Sequence, residues 1–110
     1  MTDYEIQPQD LSKRLVSGES IFLLDCRQPE EYQLARLPDS TLIPMNSIPN
    51  QVQQIEGEAE SRLVVVYCHH GVRSLNTVAW LRRQGIENTV SLAGGIDRWS
   101  LEVDSTVPRY

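Results

Sequence analysis

Cys68-His69-His70-Gly71-Val72-Arg73-Ser74 places a thiol, two imidazoles, a guanidinium and a hydroxyl in one short stretch. A thiol attacks only as its thiolate, and a free cysteine titrates near about 8.5. What lies on either side of the stretch bears on that value. Leu63–Tyr67 is an apolar run with three consecutive valines, the pattern of a strand buried on both faces. From Val72 the spacing turns helical: Val72, Leu75 and Ala79 form a stripe, Val78 and Leu81 widen it, and Gly85 ends it. Cys68 therefore falls at the carboxyl end of a strand and the mouth of a helix. The first amides of a helix have no intrahelical acceptor and carry the positive end of its dipole. Such a position brings a cysteine down to about 3.5–7.5. Cys68 is expected to be a nucleophile ionised at neutral pH. The plainer assignment, a buried structural cysteine, suits the polar residues after it poorly, and a core position is not expected.

The elements that must hold this loop can be read in order. Tyr4, Glu5 and Ile6 suggest a short edge strand. Pro8 and Asp10 open a helix with Leu11 and Leu15 on one face, ended by Gly18. Residues 21–24 read as a second buried strand, with Asp25 and Arg27 leaving its carboxyl end, and Pro29 starts a short helix carrying Glu30, Glu31 and Tyr32. A turn at 37–40 leads to a strand over 41–43. Ile48, Val52 and Ile55 predict an amphipathic helix over 47–56, and the polar, mostly acidic residues 57–62 read as a connector. Thr89–Leu92 is another strand, Gly94-Gly95 a tight turn, and Ile96 and Trp99 mark a short helix before an extended tail over 103–110. Strands alternating with helices imply an α/β fold, a small parallel sheet with helices on both faces. In such sheets, sites lie beyond the carboxyl ends of the strands. Asp25 to Arg27 and Cys68 to Arg73 both point there, with Gly94-Gly95 as a third wall.

At 110 residues the chain fits one domain, 1–110. A net charge of -5 argues against nucleic acid as partner. No apolar stretch approaches the roughly 20 residues that span a bilayer, so no membrane partner is expected. The start, MTDYEIQPQD, has neither the basic end nor the apolar stretch of a secretion signal. Two distant cysteines make no disulfide framework, and a working thiol wants a reducing compartment. These features together predict a cytoplasmic protein.

Three motifs give the chain a resemblance to the rhodanese-like sulfurtransferase family. Cys68, Gly71, Arg73 and Ser74 are similar to its Cys-x-x-Gly-x-Arg-Ser loop. The segment from Leu23 to Tyr32, with Asp25, Arg27, Glu31 and Tyr32, resembles its strand-Asp-x-Arg-x-x-x-Glu-Tyr segment. Gly94, Gly95 and Trp99 match its Gly-Gly-x-x-x-Trp signature. The likeness covers nearly the whole chain, in order. It implies a rhodanese-like fold with Cys68 catalytic and His69, His70, Gly71, Val72, Arg73 and Ser74 as the active-site loop. It also implies sulfur transfer: Cys68 takes a sulfane sulfur from thiosulfate or a persulfidated protein, and passes it to a thiol, a cyanide-like acceptor or a sulfur-carrier protein. No cofactor and no metal are implied.

Several roles remain open at this level. The loop amides are expected to cradle the terminal sulfur of a persulfide. Arg73 either shapes the loop and adds positive potential or forms a salt bridge, to Asp25 or Glu31. Ser74 either hydrogen-bonds the thiolate or caps the helix. His69 and His70 line the pocket mouth, or are exposed without a role. Asp25 and Arg27 brace the site. Cys26 is a small buried residue or a resolving partner for Cys68, and Trp80 and Trp99 are packing residues.

Three rivals compete with sulfur transfer. Phosphatases and arsenate reductases of the same fold carry five residues between cysteine and arginine, and here four intervene, a ring better sized for one sulfur than for phosphate. Metal binding by Cys68, His69 and His70 is disfavoured because adjacent residues do not readily turn to one ion. Regulatory rhodanese modules usually lack the cysteine, which is present. The departures from the family are informative too. The loop has histidines where thiosulfate-using members have basic residues, and Glu30 and Glu31 follow Arg27, so a persulfide is expected to be a better donor than thiosulfate. Arg36-Leu37-Pro38-Asp39 replaces the family's His-x-Pro-Gly and is expected to alter only a surface turn. The tail resembles the end of rhodanese domains attached to enzymes that activate sulfur-carrier proteins.

Overall fold

The computed structural model describes residues 4–110. Residues 1–3, which begin the segment read as lacking a secretion signal, lie outside it. Five strands, all parallel, form one sheet in the order β1-β5-β4-β2-β3: β1 Glu5–Ile6, β2 Ile21–Asp25, β3 Thr41–Leu42, β4 Leu63–Tyr67 and β5 Thr89–Leu92. The helices between them are α1 Pro8–Val16, α2 Pro29–Leu34, α3 Val52–Ser61, α4 Val72–Arg83 and α5 Gly95–Glu102, with a 3-10 helix at Met45–Gln51.

The alternation of side chains along β2 and β4 builds two cores. Ile21, Leu23, Val65 and Tyr67 face one side, where they meet Leu11 of α1 and Ile96 and Trp99 of α5. Phe22, Leu24, Val64 and Val66 face the other, against Ile48, Ile55 and the α4 residues Val78 and Leu81. A strand's period of two continues past its last hydrogen-bonded residue. Cys26 and Cys68 consequently fall on the second face, at the ends of paired neighbours in which Asp25 is in register with Tyr67. Among the described residues, no helix is long and apolar enough to cross a membrane.

Three sequence expectations need correction. The stretch over 57–62 is not a connector: α3 runs through Gly57 to Ser61. Ile55 and Ala59, four apart, both meet the core, and Arg62 pairs with Glu58 at 2.7 Å. Tertiary packing of one stripe outweighs the helix cost of Gly57, about 1 kcal/mol. The part of the predicted 47–56 helix before Val52 is the 3-10 helix, and Pro49 lies inside it. On α4 the inward face is shifted by one position: Val72 is 69% exposed, whereas Ser74, Val78 and Leu81 are buried. Ser74 fixes this rotation through its contacts with Cys68, described below.

Candidate active site

The Cys68 loop is held from two sides by backbone. Gly71, the residue before α4, has φ 103°, in the left-handed region that glycine enters freely. That turn aims its N–H at the Cys68 Sγ, 3.1 Å away. Ser74, in the first turn of α4, donates its own N–H to the same sulfur at 3.3 Å, and its Oγ lies 3.4 Å from it. Ser74 Oγ is in turn 2.7 Å from Ser91 Oγ on β5. Behind the loop, the first amides of α5 grip its carbonyls: Ile96 N–H donates to Cys68 O at 2.9 Å and Asp97 N–H to His69 O at 3.1 Å. Gly95 permits that approach, because a Cβ there would stand 2.4 Å from both carbonyl oxygens. The Gly94-Gly95 pair is thus the third wall.

These donors act on the charge of the thiol. The adjacent Cys26 thiol contributes most, followed by the Ser74 hydroxyl and the Ser74 and Gly71 amides. Against the opposing effect of burial, they bring Cys68 down to about 4. Cys26 moves the other way. The neighbouring Cys68 and its own burial push it far above the usual thiol range, and its Sγ–H donates to the Tyr67 carbonyl at 3.5 Å. Both cysteines are free.

Cys68 itself is only 1% exposed and packs with Cys26, Val66 and Val78. The expectation that it avoids a core position is therefore corrected. Strand alternation turns it inward, and the polar residues that follow form the ring beyond it. The thiolate sits on an apolar floor beneath hydrogen-bond donors, where low polarity strengthens each of them.

A second set of polar groups stands at the same strand ends, on the other face. Asp25 and Arg27 are both fully buried and form a bidentate pair, with Nε to Oδ1 at 2.9 Å and Nη2 to Oδ2 at 2.6 Å. Arg27 also donates to the Ala35 carbonyl and, through Nη1, to the Tyr110 hydroxyl at 2.7 Å. Its guanidinium lies 5.4 Å from the Tyr67 ring centroid. The Tyr67 hydroxyl donates to Ser40 and accepts from the Leu37 N–H.

Arg73 does not point at the sulfur. It clamps Glu31 with two hydrogen bonds, at 2.8 and 2.9 Å, which resolves its salt-bridge partner in favour of Glu31 over Asp25. The clamp, together with the Gln28 N–H and the Tyr110 hydroxyl, holds the Glu31 carboxyl down to about 2 against its partial burial. Of the two roles open to Ser74, the geometry shows the hydrogen bond to sulfur and no side-chain cap. His69 is half-buried, with its ring stacked on Tyr110 at 3.9 Å, and His70 is exposed beside Asp97. Trp99 is buried in the core and Trp80 partly so, both as packing residues.

Sequence reasoning missed Ser91, Tyr67 and Tyr110. Ser91 had a signal: it stands near the end of β5, where alternation turns it towards α4. Tyr110 had none, because its contacts are with residues 27, 31 and 69.

A family model for the rhodanese-like domain matches residues 7–102. The chain belongs to the rhodanese-like family. A protein of Allochromatium vinosum named a sulfurtransferase is 38% identical over 96 residues, covering 87% of each chain. A probable adenylyltransferase/sulfurtransferase of Mycobacterium tuberculosis, MoeZ, is 31% identical over 105 residues. The match takes in 96% of this chain but only 26% of that larger protein. The crystal structure of a rhodanese-like domain protein from Staphylococcus aureus superposes with a TM-score of 0.80 at 26% identity, covering 96% of this rhodanese-like chain and 97% of the other. The expected parallel α/β architecture is thereby borne out.

Proposed function

We propose that this chain, working as one domain, is a sulfurtransferase that carries a sulfane sulfur on Cys68. The observation that carries the reading is the thiol itself, held as an anion by the Gly71 and Ser74 amides inside a ring with four residues between Cys68 and Arg73. The Cys68 thiolate attacks the outer sulfur of a donor, the donor's S–S bond breaks, and its electron pair leaves with sulfite (from thiosulfate) or a thiolate (from a persulfide). An acceptor thiolate then attacks the terminal sulfur of Cys68–S–S⁻ and regenerates the Cys68 thiolate. Arg73 and Ser74 shape the loop, His69, His70 and Val72 complete its rim, and Asp25 and Arg27 brace it from behind.

The commitment of Arg73 to Glu31 favours this reading over phosphate hydrolysis. A phosphatase needs a guanidinium free to hold a tetrahedral oxyanion above its cysteine. With that charge neutralised, a persulfide on a protein or small thiol is a better donor than thiosulfate. The resemblance of the tail to the end of rhodanese domains attached to enzymes that activate sulfur-carrier proteins supports such a protein as acceptor, and the reactive thiolate suits the cytoplasm.

The test is to incubate the protein with thiosulfate, glutathione persulfide, a sulfurated cysteine desulfurase or an aryl phosphate. Mass spectrometry should then show one sulfur atom added at Cys68, and Cys68→Ser should add none. Phosphate release without any persulfide would reverse the assignment.

A further inference from the structure

Tyr110 lies far from the Cys68 loop in sequence, yet its side chain is built into the loop's surroundings. Its ring stacks on His69 with centroids 3.9 Å apart and planes 8° from parallel. Its hydroxyl accepts from Arg27 Nη1 at 2.7 Å and donates to Glu31 Oε2 at 2.7 Å. The same Glu31 oxygen accepts from Arg73 Nη2 at 2.9 Å. One phenol therefore joins the buried Asp25–Arg27 pair to the Glu31–Arg73 clamp while covering the first residue after the nucleophile. The preceding Arg109 anchors the tail through Asp97, at 2.9 Å, and Asp97 also faces His70 at 4.0 Å. Both histidines of the loop thus lean on the tail or on its anchor. His69 Nε2 is buried without a hydrogen-bond partner, so the stack on Tyr110 is a main constraint on that ring.

We propose that Tyr110 is a positioning residue of the sulfur-transfer site, holding His69 and the Glu31–Arg73 clamp as the wall a donor passes to reach Cys68. The inference rests on the sulfur-transfer reading. Tyr110 hydrogen-bonds to Arg27 and Glu31 and to neither Cys68 nor the amides that stabilise its thiolate, so it acts on donor binding and leaves the thiol's reactivity alone. The hydroxyl and the ring do separable jobs: the first links the two ion pairs, the second fixes His69.

The experiment uses glutathione persulfide as donor with the wild type, Tyr110→Phe and Tyr110→Ala. Tyr110→Ala is expected to raise the donor KM about tenfold, the equivalent of one charge-assisted hydrogen bond. Its kcat should stay within about twofold of wild type, as expected when only binding is lost. The pH profile of Cys68 alkylation by iodoacetamide should not move. Tyr110→Phe keeps the stack and loses the link, and should fall between the two. A KM within about twofold of wild type in both variants overturns the proposal. So does a parallel change in kcat and the alkylation profile, the sign of a merely structural role. Wild-type protein that gains no sulfur from any donor would instead sink the sulfur-transfer reading, and this inference with it.

Discussion

The carboxyl ends of β2 and β4 carry two polar assemblies, and they are built on opposite plans. From one face, the buried Asp25–Arg27 pair is joined through Tyr110 to the part-exposed Glu31–Arg73 clamp, so that every charge has an opposite charge in contact. On the other, the Cys68 sulfur meets two amides, one hydroxyl and the thiol of Cys26, with its nearest cationic candidate turned away to Glu31. Paired charges make a stiff frame, because breaking a buried pair is costly. Dipoles stabilise an anion without sequestering it in an ion pair, which leaves the sulfur able to attack. The alternation of one residue between Asp25 and Cys26 separates frame from nucleophile.

Substitutions on either side can break this division. The largest effect belongs to the frame. Arg27→Met leaves Asp25 buried and unpaired, and urea unfolding should show a loss of about 3–5 kcal/mol. The Cys68 titration in the same protein should move by less than about one unit. Next come the dipoles. Ser74→Ala and Cys26→Ala should each raise the Cys68 value by about one unit or more, at about 1.4 kcal/mol per unit, read from the pH dependence of alkylation. If either leaves that profile in place, its donor contributes nothing to the anion. The smallest effect is expected from Arg73→Gln. Its pair with Glu31 is part-exposed, and the Cys68 value should stay within about half a unit of wild type. A rise matching that of Ser74→Ala would mean that the arginine belongs to the sulfur's own field.

How much of this was legible in the sequence follows the same division. The sulfur side is local. A strand, a glycine turn and a helix start are contiguous from Leu63 to Ser74, so the placing of Cys68 at a strand end and a helix mouth could be derived from spacing, whereas its burial could not and sulfur transfer came only from the family resemblance. The phase of α4 was legible in part: Val78 and Leu81 belong to the expected stripe and are buried, but Val72 belongs to it too and is exposed, while Ser74 turns to the sulfur. The frame is non-local. Asp25 and Arg27 were visible as a pair at a strand end, but Glu31 to Arg73 and Tyr110 to Arg27 and His69 join residues far apart in the chain. Periodicity carries no information about such pairs. The helix through Gly57 was missed for a related reason, since burial of Ile55 and Ala59 is a tertiary fact.

Hydrogen-bond donors, more than any cation, hold Cys68 ionised. A depressed thiol contributes stability that is full above its unfolded value of about 8.5 and lost as pH falls through the folded value. The direct measurement is the thiolate's ultraviolet absorbance, followed with pH in Cys26→Ala and wild-type protein and checked against Cys68→Ser. The wild type should show an inflection well below neutrality, near about 4, unchanged by added salt because no exposed ion pair sets it. An inflection at or above about 8.5, the value of a free cysteine, would contradict the account.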